Sequence, residues 1–160
     1  MIEVEHEPRQ LIVAAALLIV ATVIQTLGVV ALEDLVLFAR RRVAAKITRT
    51  RMLALLSGVV LYLFALYVVQ MSVWAVVYLR IAGYPSYTVA LYESGLAFTT
   101  LDVPELPPDW RFVGVAEGIA GLIMFAWSTG VMLTQTSWLA QARRRYERGV
   151  ISFSPSARSK

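Results

Sequence analysis

The sequence contains no cysteine, so neither a disulfide nor a thiolate metal site is available to it, and cysteine usage says nothing about its redox compartment. Its one histidine, His6, sits in an acidic N-terminal arm and has no neighbouring ligands, which reads as a solvated tail residue. There is no Ser/His/Asp set, no HExxH pair, no phosphate-cradling glycine loop and no metal-ligand cluster. Enzymatic chemistry, a resident cofactor and a bound metal are therefore not expected. Charge is scarce too: 16% of residues are charged and 58% hydrophobic, against about 25% and 45–50% in soluble domains. A soluble domain of this make-up would aggregate. The basic excess invites a nucleic-acid reading, but most of the lysines and arginines flank apolar runs, where membrane topology accounts for them.

What the sequence does have is long apolar runs, and these divide it. Residues 1–9 form an N-terminal arm with three glutamates, unlike the positive start of a signal peptide, so the apolar run that follows is expected to be retained. Gln10 to Leu32 is uncharged and long enough to cross a hydrocarbon core of about 30 Å. Glu33 and Asp34 end that run, and a linker to residue 51 carries six basic residues from Arg40 to Arg51. It reads as a cytoplasmic loop, or alternatively as an interfacial helix. Residues 52–80 form a second span, in which Gln70 is expected to hydrogen-bond a neighbouring helix and Trp74 and Tyr78 to mark an aromatic belt. Residues 112–138 form a third, with a close-packing step at Gly114 and Gly118. Residues 139–160 are a basic tail.

Between the second and third spans lies the stretch that fits neither. Ser86 is placed to cap a short amphipathic helix over residues 86–100, and residues 101–111 carry three prolines, three acids, Trp110 and Arg111. Neither half can span a bilayer. Irregular chain at membrane depth is tolerated where protein covers it or where it lines a water-filled path, so a re-entrant segment is predicted. The basic linker and basic tail belong in the cytoplasm by the positive-inside rule, which gives a multi-pass cell-membrane protein with its N-terminus outside.

ALYESGLAFTTL, then DVPELPPDWR, then EGIAGLIMFAWST (Ala90 to Thr129) resembles the pore module of the small bacterial potassium-channel-like proteins with two pore-forming helices and an extra N-terminal helix. The resemblance implies an all-α membrane protein: three transmembrane helices plus a re-entrant pore helix and loop, in the tetrameric P-loop channel architecture. Residues 52–80 would be the outer helix, 86–100 the pore helix, 101–111 the filter and loop, and 112–138 the inner helix of a pore domain over 52–138.

The resemblance breaks at the filter. Where the family continues its threonine pair and hydrophobic residue with Gly-Tyr-Gly-Asp, Leu101 is here followed directly by Asp102, Val103 and Pro104. Potassium filters coordinate through backbone carbonyls, and glycines supply the backbone angles for it. The ion path implied by resemblance is therefore Thr99, Thr100, Leu101, Asp102, Val103 and Glu105. Asp102 and Glu105 would form carboxylate rings in a homotetramer, or else stay as rim residues. Tyr92, Trp110, Arg111 and Glu117 would support the filter, with Glu117 pairing with Arg111, Tyr92 or the pore helix. Gly121 would be a hinge or a packing contact, and Ser128 and Thr129 would line the cavity. The implied function is a cation channel, weakly selective or non-selective among monovalent cations such as potassium and sodium, with room for a divalent cation such as calcium. The alternative is a non-conducting channel-fold protein that acts as an assembly partner or regulator. The partners are the bilayer and copies of the chain, with no nucleic acid.

Overall fold

The computed structural model describes residues 8–44 and 48–152, with side chains over 8–39 and 48–144. His6, Lys46 and the tail from 153 lie outside the described residues. The described chain is all-helical: α1 (Pro8–Ala44), α2 (Arg49–Ile81), α3 (Tyr87–Phe98) and α4 (Arg111–Ser152), with a 3₁₀ turn at Pro108–Trp110. Among the described residues, three stretches are long and apolar enough to cross a membrane: Pro8–Ala39, Arg49–Ile81 and Pro108–Arg144.

α1 does not stop where its apolar run stops. It continues through Glu33 and Asp34, both exposed, to Ala44, so residues 33–44 of the expected loop are helical. The reason is local: no glycine or proline lies between Val29 and Ala44, and an acid on a solvated face ends hydrophobicity without ending helicity. At 1.5 Å per residue α1 is about 55 Å long and α4 about 63 Å, so both outrun a hydrocarbon core of about 30 Å.

Side-chain pairings set the packing. Gln10 meets Phe112 and Gln25 meets Ser128, so α1 and α4 run parallel with an offset of 102–103 residues. Gln25 meets Gln70 and Gly28 meets Tyr62, so α2 runs antiparallel to α1. Tyr78 meets Glu117 and Tyr67 meets Met124, so it also runs antiparallel to α4. The start of α1, the end of α2 and the start of α4 thus gather at one end of the bundle, together with residues 82–110. Apolar clusters fill the seams, with Trp74, Tyr78, Ala90, Val113 and Ala120 in one, and Val29, Leu32, Val59, Leu63 and Val131 in another.

α3 is made by its punctuation. Gly83, at a φ of +65°, turns the chain out of α2, and Pro85 cannot extend that helix. Ser86 is extended, and its Oγ accepts the Val89 N–H at 3.3 Å. A single lost cap of this kind costs a helix about 1 kcal/mol.

Candidate functional site

α3 descends between α2 and α4. The Ser94 hydroxyl lies 2.9 Å from the Met71 carbonyl oxygen, ten residues inside the Ile81 end of α2. The Phe98 ring packs on Tyr67 with centroids 5.6 Å apart, and the Phe98 backbone lies against Gly121, ten residues inside the Arg111 end of α4. At 1.5 Å per residue the tip of α3 sits about 15 Å below the ends of both helices.

Two glycines of α4 permit this depth. A Cβ at Gly121 would fall inside the Phe98 carbonyl, and one at Gly118 would lie 3.3 Å from the Ala97 carbonyl oxygen. Gly121 is therefore a contact at which backbone meets backbone. Gly114 serves the returning chain in the same way, since a Cβ there would sit 2.8 Å from Pro104 Cγ.

The chain leaves α3 through a tight reversal. Thr100 N–H donates to the Ala97 carbonyl at 2.9 Å and Leu101 N–H to the Leu96 carbonyl at 2.9 Å, the paired bonds of a Schellman turn. The left-handed position of that turn is Thr100, at a φ of +57°. A β-branched residue there costs about 1–2 kcal/mol. The Thr99 hydroxyl donates back to Gly95 at 2.7 Å, and the Asp102 carboxylate accepts the Val103 N–H at 2.7 Å. Thr99 through Val103 are exposed, Leu101 at 77%. Pro104 and Leu106 are buried, and the Glu105 carbonyl accepts the Tyr84 hydroxyl at 3.2 Å. Burial, then the carboxylates of Glu93 and Glu105, push the Tyr84 phenol above its ordinary range, which keeps it a donor.

Behind α3 lies Glu117, fully buried on α4. Tyr78 of α2 donates to its Oε2, and Ser94 of α3 lies in hydrogen-bond contact with its Oε1. Ser94 has one hydroxyl proton and two oxygens in reach, Met71 O and Glu117 Oε1. All three contacts are satisfied together when Glu117 carries a proton of its own and donates it to Ser94. One carboxyl group thus ties α4 to both α2 and α3.

Of the predicted site residues, the structure groups Thr99, Thr100, Leu101, Asp102 and Val103 at the exposed tip and its return. Glu117 pairs with Ser94 and Tyr78; Tyr92 instead points outward, 65% exposed, and Arg111 is exposed at the head of α4. Trp110 lies beneath the Arg9 guanidinium at 5.3 Å, which joins the start of α1 to the turn before α4. Ser128 is buried and accepts from Gln25 at 3.3 Å, Thr129 is exposed, and both border an apolar groove with Phe64, Tyr67 and Phe125. The expectation that Glu117 pairs with the short helix before the loop holds through Ser94, whereas Tyr78 was missed as its second partner. The available signal was a lone acid in an apolar helix, which needs donors on every helix it touches.

Comparison with models of protein families, with curated proteins and with solved structures finds no match in any of the three.

Proposed function

We propose that the chain is the protomer of a P-loop cation channel, in which copies, four by the resemblance of Ala90 to Thr129, surround one axis with their α3 tips turned inward. The observation that carries this is the position of residues 99–103: irregular, exposed and about 15 Å inside an apolar bundle. The N–H groups of these residues find acceptors within the tip, but lipid offers no partner to the exposed Asp102 carboxylate, so either protein covers the tip or it borders water.

The chemistry around the tip suits cations. A helix C-terminus carries a partial negative charge, and Asp102 adds a full one, with threonine oxygens beside it. Carboxylate and carbonyl oxygens are hard ligands that concentrate potassium, sodium or calcium without selecting strongly among them. Without Gly-Tyr-Gly no stack of axial carbonyl sites is expected, so selectivity is weak. The basic ends of α1 and α4 face the cytoplasm in this reading.

One observation favours the non-conducting alternative. The Schellman turn folds Thr99–Leu101 back onto Leu96, and one Asp102 oxygen is engaged by Val103. Ion flux into liposomes carrying the purified protein decides between the two. The channel reading expects comparable potassium and sodium flux, reduced in Asp102→Asn. Strong potassium selectivity would refute the weak-filter reading, and an intact oligomer that passes no ion would refute conduction.

A further inference from the structure

The pairings that set the Ile81 end of α2 beside the Arg111 end of α4 also gather the opposite ends of the three long helices, and each of those ends carries arginine. The parallel offset between α1 and α4 places Val36 level with Leu139, and both are buried, at 3% and 4% exposure. Leu55 of α2 packs against the cluster that holds Val36. About one turn further out on each helix stand Arg40, Arg51 and Arg143. Arginines about 90 residues apart in sequence therefore share one layer of the bundle. Their neighbours along the chain reinforce it: residues 40–51 and 143–148 together contain nine arginines and a single acid, Glu147.

The other end of the bundle is built differently. It has Arg9, Arg80 and Arg111, but Asp109 adjoins them, and Glu93 and Glu105 both bear on the Tyr84 phenol there. Charge at that end is close to balanced. From Arg9 to Arg40, from Arg51 to Arg80 and from Arg111 to Arg143 the helices run 29–32 residues, which is about 44–48 Å. A bilayer with its headgroups is about 40–45 Å thick, and helices tilt by about 20° on average. Both arginine layers thus fall at the depth of lipid headgroups.

We infer that the layer formed by the end of α1, the start of α2 and the end of α4 is a docking surface for the anionic phospholipid headgroups of one leaflet. Depth selects lipid over a soluble polyanion such as RNA, because the arginines begin where the helices leave the hydrocarbon. The guanidinium fork matches phosphate oxygens in pairs. Orientation in the membrane requires only that positive charge lie on one side. Headgroup docking also needs that charge concentrated at one height, and the packing of α1, α2 and α4 supplies this. The inference does not rest on the channel reading.

The test uses the full chain in vesicles of phosphatidylglycerol and phosphatidylcholine, with the same mixture in both leaflets so that the direction of insertion does not matter. A fluorophore is attached at Ala140→Cys, an exposed position three residues before Arg143, or at Val115→Cys, an exposed position four residues after Arg111. Quenching is compared with bromine on the anionic lipid and with bromine on the zwitterionic one, which gives the local lipid preference at each end. One basic residue near an anionic surface is worth about fivefold in association, so a preference of about fivefold or more for phosphatidylglycerol is expected at Ala140→Cys, weakening at high salt. Near-equal quenching is expected at Val115→Cys. Combining Arg143→Gln, Arg144→Gln and Arg145→Gln should at least halve the preference at Ala140→Cys and leave Val115→Cys unchanged. Equal preference at the two ends overturns the proposal, as does a preference that survives the triple substitution. If the triple variant does not fold, the comparison of the two labelled ends decides alone.

Discussion

Replacing Glu117 with glutamine and with alanine separates two descriptions of the cluster behind α3. In the described geometry one carboxyl oxygen accepts from Tyr78 and the other meets Ser94, whose proton is directed to the Met71 carbonyl at 2.9 Å. Glutamine reproduces this pattern, since its oxygen accepts from Tyr78 and its nitrogen donates to Ser94. What it adds is one unpaired amide hydrogen, a cost of about 1–2 kcal/mol. Alanine leaves the Tyr78 hydroxyl without an acceptor in a fully buried site and opens a small cavity, together about 2–4 kcal/mol. For a chain of this length the alanine loss corresponds to a fall of roughly 5–15 °C in melting temperature. The assay is thermal unfolding of the purified protein in detergent, with infrared spectroscopy as an independent readout. The wild type should show the carbonyl stretch of a protonated carboxylic acid, and that band should vanish in Glu117→Gln. If glutamine destabilises as much as alanine and the wild type lacks the band, Glu117 is a carboxylate that accepts from both hydroxyls, and the proton count at Ser94 is wrong.

Gly121→Ala places a Cβ inside the Phe98 carbonyl and should cost about 2–3 kcal/mol by forcing α3 and α4 apart. Gly130→Ala, where nothing lies within 4 Å of the added carbon, should stabilise by about 0.5–1 kcal/mol through helix propensity; the same thermal melt checks both, and equal responses would refute the backbone contact at Gly121. Thr100→Gly relieves the left-handed strain of the reversal and should raise stability by about 1 kcal/mol. A loss of stability on that change would mean that the threonine side chain holds the turn.

Three spans and the intervening short helix were legible in the sequence because each rests on a strong local signal, whereas the far ends of the first and third spans were not. Those signals were uncharged runs longer than about 18 residues, a serine cap at Ser86, and proline at 85 and 104. The continuation of α1 was not legible, because Glu33 and Asp34 end a hydropathy signal while saying nothing about backbone hydrogen bonds. The residues of the α3 tip are neighbours in sequence, but their reversal was hidden, since a Schellman turn announces itself by glycine and here the position is Thr100. Partners at long separation were the least accessible. Gln25, Gln70 and Ser128 each look like isolated polar residues in apolar helices, and they form a chain once the offset between parallel α1 and α4 is known.

That offset also turns one face of α4 inward. Ser128 and Thr129 are adjacent in sequence and about 100° apart on the helix, and the structure turns Ser128 toward Gln25 of α1 and leaves Thr129 exposed. Ser128 is occupied within the bundle, and the exposed surface of α4 includes the side that carries Leu122, Phe125 and Thr129. That side is continuous with the tip of α3, because Thr99, Leu122 and Phe125 line one apolar groove and Phe125 and Thr129 line the next. A cysteine at Thr129 should therefore react with a water-soluble thiol reagent if the groove faces an aqueous path, whereas one at Ser128, which borders the same groove but is only 6% exposed, should react more slowly. The chain has no cysteine of its own, so the labelling reports the introduced position directly. Equal labelling at the two positions would show that α4 is turned differently in the membrane from the arrangement fixed by Gln25.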